Sequence, residues 1–163
     1  MGLRTLMATL EMFVAKGIAE QVHGHKQDLS GKPYLNHIYA VTRAVSHLGD
    51  EYIITGFLHD AIEDANEELR PKIEEQIKSI FNERIIEAVY AITQDDKEDY
   101  FDYIARVLQN PIATQVKIAD ATHNLSRTDE ITDTAKKERL IKKYKKALTL
   151  LGEKNEKSNN FRT

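Results

Sequence analysis

The sequence predicts an all-α fold, and three observations lead to that prediction. Apolar residues recur every three or four positions over most of the 163 residues, which is the spacing of one face of an α-helix. Glycine, asparagine and proline interrupt this spacing at points where helices begin or end. No segment alternates apolar and polar residues in the manner of a half-buried β-strand, and no internal repeat is visible. We therefore expect packed helices joined by polar connections.

Two helices are predicted before residue 50. The first should end near Gly24, and its apolar stripe consists of Leu3, Met7, Leu10, Val14, Ile18 and Val22. A polar loop over 25–32 follows, and Pro33 suits a loop or the first turn of a helix. The second helix carries His37 near its amino end, on a face shared with Ala40, Val41, Ala44 and Val45. Gly49 and Asp50 interrupt the pattern and lead into a third helix.

The third predicted helix covers 53–64 and ends in one imidazole and three carboxylates. The run is rich in β-branched residues, but its helical spacing continues through residue 63, so we interpret it as a helix rather than a strand. The four polar residues are His59, Asp60, Glu63 and Asp64. Residues three or four apart are neighbours on a helix, so these side chains can cluster. His59 and Asp60 diverge by about 100° around the axis and can face one ion only where the helix opens.

Four more helices are predicted between residues 70 and 132. Pro71 opens one with the stripe Ile73, Ile77 and Ile80, and Asn82 is the predicted N-cap of the next. A polar break over 93–98 precedes a helix over 100–108. Asn110 and Pro111 form the N-cap and first-turn pair of a helix that carries Lys117, Asp120 and Asn124.

A last helix should run from about Asp133 to Gly152, which adds one more element. Its inward positions are predicted to be Leu140, Ile141, Tyr144, Ala147, Leu148 and Leu151. Residues 1–152 are thus expected to form one domain, and 153–163 a polar, disordered tail.

The composition excludes several classes of function. A net charge of −3 predicts no strong affinity for nucleic acid or for an anionic membrane. No apolar run approaches the roughly 20 residues that span a bilayer, and the amino terminus does not resemble a signal peptide. The chain has no cysteine, so a metal site must use histidine and carboxylate ligands. We expect a cytoplasmic protein, and the sequence leaves open whether it forms a homo-oligomer.

A metal site can be assembled from three of these helices. His37 and Asp120 sit among apolar residues, where an unpaired polar group would be costly, and could join His59 and Asp60 as ligands. Two imidazoles and two carboxylates suit Mn²⁺ or another divalent first-row metal. Each part also has a simpler interpretation: a His-Asp pair is usually surface chemistry, and Asp120 could merely pair with Lys117.

Three blocks of the sequence resemble the RelA/SpoT-type guanosine polyphosphate pyrophosphohydrolases. Residues 31–37 read G-K-P-Y-L-N-H and are similar to that family's G-x-P-Y-x-x-H block. Residues 58–64 read L-H-D-A-I-E-D and resemble its L-H-D-x-x-E-D block. Residues 116–125 read V-K-I-A-D-A-T-H-N-L and resemble its V-K-L-A-D-x-x-H-N block. The order of His37, His59-Asp60 and Asp120 also resembles the metal signature of the HD superfamily of phosphohydrolases.

The resemblance implies an HD-domain orthogonal helical bundle that binds one Mn²⁺ through His37, His59, Asp60 and Asp120. It implies that Glu63 and Asp64 position and deprotonate the attacking water, and that Asn124 touches the nucleoside. The implied activity is that of a metal-dependent guanosine 3′,5′-bis(diphosphate) 3′-pyrophosphohydrolase acting on a small nucleotide. The alternatives are an HD-type nucleotidase or phosphodiesterase and a nucleotide-sensing module without turnover.

The sequence departs from the family around the expected substrate site. The family usually has an Arg-Lys pair just before its S-G-x-P-Y block, where this chain has Asp28 and Leu29. An acid in place of a cation should weaken binding of a highly charged nucleotide. The nearest basic residues are Lys26, Lys32, Lys117 and Arg127. Of these, Lys117 and Arg127 flank Asp120 and are the predicted substrate contacts, against the alternative that each is a solvated charge.

Overall fold

Nine α-helices follow one another in the computed structural model, which describes the backbone of residues 2–159 and the side chains of 2–152. They are α1 (Leu3–His23), α2 (Leu35–Val45), α3 (Asp50–Leu58), α4 (Ala61–Asp64), α5 (Arg70–Ile80), α6 (Glu83–Ile92), α7 (Tyr100–Val107), α8 (Pro111–Ser126) and α9 (Thr134–Asn159). Short 3-10 helices cover Ser46–Leu48 and Thr128–Glu130. The described residues contain no strand, only an isolated bridge between Gln27 and Pro33. The all-α prediction is confirmed.

Helix starts agree with the local chemistry of the sequence. The Asn82 side chain accepts a hydrogen bond from the Ile85 amide at 3.1 Å, as a predicted N-cap should. The Asn110 side chain accepts from the Ala113 amide at 2.9 Å, directly before Pro111. Both predicted caps are therefore confirmed. The α7 cap, Asp99, was not predicted, although its carboxylate accepts from the Phe101 amide at 2.8 Å.

The predicted continuous helix over 53–64 is wrong at its centre. Helix α3 ends at Leu58 and α4 begins at Ala61, so His59 and Asp60 lie in the connection. Asp60 has φ −108° and ψ 1°, which takes the chain out of helical geometry. The opening is the condition under which two adjacent side chains can face one centre. Gly56 brings α3 close to α2, since a Cβ there would lie 3.0 Å from the Thr42 Cα.

The apolar stripe of α1 is buried only in its second half. Ile18 and Val22 pack in the core, whereas Leu3, Met7 and Leu10 are 77%, 52% and 52% exposed. The predicted apolar stripe therefore lies in the core only over the carboxyl-terminal part of the helix. The helix packs on α3 and α4, and its first turns have no described element to cover them.

Helix α9 is longer than the sequence indicates. Its backbone passes through Gly152 and ends at Asn159, so the predicted end at Gly152 is wrong. A glycine inside a helix costs about 1 kcal/mol relative to alanine, which neighbouring helix formers such as Glu153 and Lys154 can offset. The rest of the predicted tail, 160–163, lies outside the described residues.

Two groups of buried side chains make up the interior. One joins α1, α3, α4, α5 and α6, and the other joins α2, α6, α7, α8 and α9. Helix α3 packs against α1, α2, α6 and α8, so its carboxyl end lies where the two groups meet. None of the described helices has the length and apolar character that crossing a bilayer requires.

Candidate metal centre

Three separate parts of the fold bring the four predicted ligands together. His37 comes from the first turn of α2, His59 and Asp60 from the α3–α4 connection, and Asp120 from α8. The Nε2 atoms of His37 and His59 are 3.3 Å apart, and Asp120 Oδ1 lies 3.2 Å from His37 Nε2. Ligand atoms of His37, His59 and Asp120 all lie within 4.8 Å of one another, and the three residues are buried. Asp60 Oδ2 is 3.1 Å from His59 Nε2 and 3.8 Å from His37 Nε2.

Each histidine is oriented by a contact to its other ring nitrogen. His59 Nδ1 lies 2.7 Å from the Gly56 carbonyl oxygen, one turn earlier in α3. His37 Nδ1 lies 2.7 Å from Nδ1 of His123, which projects from α8. Such outer contacts fix the ring orientation and the proton position of metal-binding histidines. Both Nε2 atoms consequently face the same centre.

Each carboxylate is also held from outside the cluster. Tyr34 donates its hydroxyl to Asp60 Oδ2 at 2.6 Å. Asn124 Nδ2 donates to Asp120 Oδ1 at 2.6 Å, and Lys117 Nζ donates to Asp120 Oδ2 at 2.7 Å. Tyr34 belongs to the block that precedes His37, but sequence reasoning gave it no role. Its position three residues before a ligand was the available signal.

The charges of the cluster favour ionised carboxylates. Burial opposes ionisation of Asp120, but the Lys117 ammonium and the two ligand histidines hold the pKa of that carboxyl below its usual range. Burial likewise opposes ionisation of Asp60, and the histidines outweigh it, so the pKa of Asp60 also lies well below its usual range. Burial disfavours protonated His59, yet the Asp60 carboxylate raises the pKa of His59 to about 9. His37, His59 and Asp120 form a buried donor set that could hold a divalent metal ion, and the half-buried Asp60 lies beside it.

Glu63 and Asp64, on α4, face different surroundings. The Glu63 carboxylate accepts a hydrogen bond from the Gln94 amide at 3.1 Å and borders a cavity of about 760 Å³. Glu63 is an exposed residue, but partial burial of its carboxyl raises the pKa of Glu63 to about 7. The negative charges of Asp60 and Asp64 act in the same direction. Burial and the Asp60 charge raise the pKa of Asp64 as well.

On its other side, Asp64 faces the end of α1. Its Oδ2 atom lies 3.4 Å from Nδ1 of the buried His23 and 3.7 Å from Lys26 Nζ. Sequence reasoning missed His23, because a histidine at the end of a predicted helix gives no sign of what packs against it.

A second cavity of about 300 Å³ opens beside the cluster, between the loop before α2 and the helices α8 and α9. Tyr34 and Asn124 line it, and each also hydrogen-bonds a ligand carboxylate. Its apolar wall consists of Leu29, Ile131, Leu140 and Tyr144. An apolar wall with a few polar groups is suited to a flat, hydrogen-bonding ring. The sequence placed Leu140 and Tyr144 inward but did not identify them as cavity walls.

The four basic residues that the sequence predicts near the site are each paired with an acid. Arg127 pairs with Asp28, and Lys32 Nζ lies 2.5 Å from Glu130 Oε1. Lys26 pairs with Asp64, as described above, and Lys117 pairs with Asp120. The Lys117 side chain is only 13% exposed, and its Nζ lies 5.0 Å from the centre of the Tyr103 ring. Lys117 therefore points into the interior and pairs with Asp120, which is the simpler interpretation that the sequence left open. Arg127, in contrast, lines the smaller cavity.

Asp28 does not offer a free negative charge to that cavity. Its Oδ1 accepts from the Ser30 amide at 2.7 Å, the Ser30 hydroxyl at 2.7 Å and the Lys32 amide at 3.1 Å, while Oδ2 is bound by Arg127. Although burial opposes ionisation, these contacts lower the pKa of Asp28 to about 2. The carboxylate shapes its own loop and neutralises Arg127, so it does not act as the isolated acid that the sequence suggested.

Comparisons with known proteins agree with this geometry. Residues 15–150 match the HD domain family. The chain is 31% identical over 121 residues to a guanosine-3′,5′-bis(diphosphate) 3′-pyrophosphohydrolase of Haemophilus influenzae, covering 66% of this chain and 17% of that protein. It is 29% identical over 117 residues to the protein of that name from Aquifex aeolicus, covering 66% of this chain and 16% of that protein.

The fold is also found among solved structures. One described as a metazoan ortholog of SpoT that hydrolyzes ppGpp matches with a TM-score of 0.70 at 19% identity, covering 86% of this chain and 85% of that one. At this identity the match shows a shared fold. The curated relatives named above are much longer than the matched region, which makes up 17% and 16% of their lengths.

Proposed function

Since this chain belongs to the HD domain family, we propose that it is a metal-dependent phosphohydrolase that removes pyrophosphate from the 3′ position of a guanosine polyphosphate. The observation that carries the proposal is the cluster of His37, His59, Asp60 and Asp120 beside a cavity suited to a nucleoside. The names of the two bacterial relatives supply the substrate class. A site of this kind has no evident use in a purely structural domain.

We propose Mn²⁺ as the resident ion, held by these four residues. The donor set contains only nitrogen and oxygen, in agreement with a first-row divalent ion of borderline character. Such an ion polarises a phosphoryl oxygen and lowers the pKa of bound water. Each ligand is held by an outer partner, so little rearrangement should be needed when the ion binds.

In this proposal Glu63 and Asp64 position the attacking water and accept its proton. The pKa of Glu63, raised to about 7, lies near the value at which a general base is most effective in neutral solution. Asp64 lies between His23 and Lys26, and in this proposal it helps Glu63 to position the attacking water. Glu63 also borders the larger cavity and is exposed, so a proton that it accepts can pass to solvent.

The smaller cavity takes the nucleoside. Asn124 lies between Asp120 and the cavity, so its amide can contact the nucleoside while it holds the ligand. The apolar wall formed by Leu29, Ile131, Leu140 and Tyr144 gives the base a surface to stack on. Arg127 lines the same cavity and is the proposed phosphate contact, once it is released from Asp28. Lys117 acts indirectly, since its ammonium binds Asp120.

The test combines metal analysis with a nucleotide screen. The purified protein is stripped with a chelator, reloaded with Mn²⁺ alone and incubated with a panel that includes guanosine 3′,5′-bis(diphosphate). We expect pyrophosphate release by the wild type, and a loss of both metal and activity in Asp60→Asn. Asp102→Asn makes the same chemical change on an exposed face of α7 and should behave as wild type. Activity that survives Asp60→Asn would refute the site.

One observation favours a second candidate. Four basic residues predicted near the site are all paired with acids, so they offer little net positive charge to a substrate with four phosphates. They are Lys26, Lys32, Lys117 and Arg127. An HD-type nucleotidase or phosphodiesterase, acting on a less charged nucleotide, would suit such a site. The product separates the two: orthophosphate or a monoester favours the second candidate, whereas pyrophosphate favours the first. Nucleotide binding without product, unchanged in Glu63→Gln, would instead indicate a sensing module.

A further inference from the structure

The two ligand histidines differ in how their protons are fixed. His59 Nδ1 faces the Gly56 carbonyl oxygen, which can only accept a hydrogen bond. When His59 is neutral, as a metal ligand must be, its proton is therefore on Nδ1 and the lone pair of Nε2 faces the cluster. The Nδ1 atom of His37 does not face a carbonyl oxygen. It faces another imidazole nitrogen, Nδ1 of His123, at 2.7 Å. Either ring can donate in such a pair.

The direction of this hydrogen bond decides whether His37 can bind a metal. If His37 Nδ1 donates, its Nε2 lone pair is free for a metal ion. Without an ion, this lone pair lies 3.2 Å from the acceptor Asp120 Oδ1 and can accept only from a protonated His59 Nε2, at 3.3 Å. If His123 Nδ1 donates instead, the proton of neutral His37 must be on Nε2. There it can be donated to Asp120 Oδ1, and it occupies the position that a metal ion would need. The two arrangements differ by the proton positions of two rings.

We propose that His123 is a positioning residue that selects the metal-binding tautomer of His37. In this arrangement His37 Nδ1 donates to His123 Nδ1, and the second ring carries its own proton on Nε2. The inference rests on the proposed metal site, because it concerns a ligand of that site. Helix α8 would then supply both a direct ligand, Asp120, and the group that prepares another ligand on α2.

The position of His123 suits this role. It lies three residues after Asp120, so both side chains project from the same side of α8 toward α2. The rings of His37 and His123 have their centres 4.9 Å apart and are tilted by 42°. His37 is 1% exposed, so water cannot readily replace His123 as the acceptor. On its other side, His123 borders an open groove of about 460 Å³ between α2 and α8.

Three substitutions separate this role from a structural one. His123→Asn places an amide oxygen where Nδ1 stands, so it can still accept from His37. His123→Leu has nearly the same shape at that position but accepts nothing. His47→Leu removes an exposed histidine that borders the same groove and serves as the matched control. Thermal unfolding of all three variants shows whether the fold is kept.

Two measurements on the full chain test the inference without relying on turnover. Nitrogen NMR of the metal-free protein should show the His37 proton on Nδ1 in the wild type and in His123→Asn, and on Nε2 in His123→Leu. Calorimetric titration with Mn²⁺ alone should show affinity about 10- to 100-fold weaker in His123→Leu, largely restored in His123→Asn and unchanged in His47→Leu.

The outcomes also separate this inference from the proposed function. A wild-type His37 proton on Nε2, or equal Mn²⁺ affinity in His123→Leu and His47→Leu, would overturn the role of His123. Metal binding with the expected pattern but no hydrolysis of any nucleotide would contradict only the proposed activity. If the wild type binds no Mn²⁺, the metal site fails, and the NMR spectrum of the metal-free protein still decides the tautomer.

Discussion

His23 should make the metal-free protein sensitive to mild acid. It is the last residue of α1, has no exposed surface, and lies between the Tyr34 ring, 5.0 Å away by ring centres, and Asp64. Among the described residues neither ring nitrogen has a hydrogen-bond partner. Burial, aided by the Lys26 charge and opposed by Asp60, lowers the pKa of His23 from 6.5 to about 4. The folded protein therefore keeps His23 neutral at pH values where the unfolded chain protonates it.

The sign and size of the effect follow from the two pKa values. Below pH 6.5 the unfolded state binds a proton at His23, whereas the folded state binds it only near pH 4. The free energy of unfolding therefore decreases as the pH falls through this window. Each pKa unit corresponds to about 1.4 kcal/mol, so the full effect is about 3 kcal/mol. Between about pH 7.5 and pH 5, linkage gives a loss of about 2 kcal/mol from this one group.

The assay is urea unfolding followed by far-UV circular dichroism, in buffers that contain a chelator. Wild type and His23→Leu are compared at several pH values, because leucine fills a similar volume and does not titrate. Between about pH 7.5 and pH 5, the wild type should lose about 2 kcal/mol more of its free energy of unfolding than His23→Leu loses. His25→Leu, an exposed histidine two residues along, should keep the wild-type profile. Parallel profiles for wild type and His23→Leu would refute the reasoning.

Three further predictions concern the interior of the site and the core. Lys117→Met leaves Asp120 without its ammonium partner, so the metal-free protein should lose about 3–5 kcal/mol of stability, and added Mn²⁺ should restore part of the lost melting temperature. Tyr34→Phe removes the hydroxyl that holds Asp60 and should weaken Mn²⁺ affinity about tenfold or more in a calorimetric titration, with the melting temperature of the metal-free protein little changed. Ile104→Ala, in the core and with no exposed surface, should cost about 2–5 kcal/mol in urea unfolding while activity per folded molecule is kept.

The helices could be predicted because their signals are local. Asn82 and Asn110 cap helices through bonds to amides three residues away, so the residues that matter are visible together in the sequence. The break between α3 and α4 was harder to place, because His59 keeps helical backbone angles, φ −59° and ψ −31°, and only Asp60 leaves them. Periodicity identified the apolar face of α1 but could not show that its first turns lie beyond the core.

The four proposed ligands could be chosen from the sequence for a different reason. His37 and Asp120 stand out as polar residues in apolar surroundings, and the three motifs give their order. The contacts that adjust the site come from distant parts of the chain and left no such signal. Arg127 reaches Asp28 across 99 positions, and His123 reaches His37 across 86. The effect of replacing a basic residue by Asp28 could not be judged until its partner was known.

The pairing of charges around the site implies an order of binding. In the metal-free protein, the Lys117 ammonium balances the Asp120 carboxylate, and Asp60 keeps a proton on His59 that a divalent ion can replace. Lys26, Lys32 and Arg127 are already neutralised by acids, so in the metal-free protein they attract phosphate groups only weakly. A divalent ion at the cluster would reverse this balance, because it adds two positive charges beside the cavity. Substrate affinity should therefore depend on prior metal binding, and by thermodynamic linkage a bound nucleotide should hold the metal more tightly.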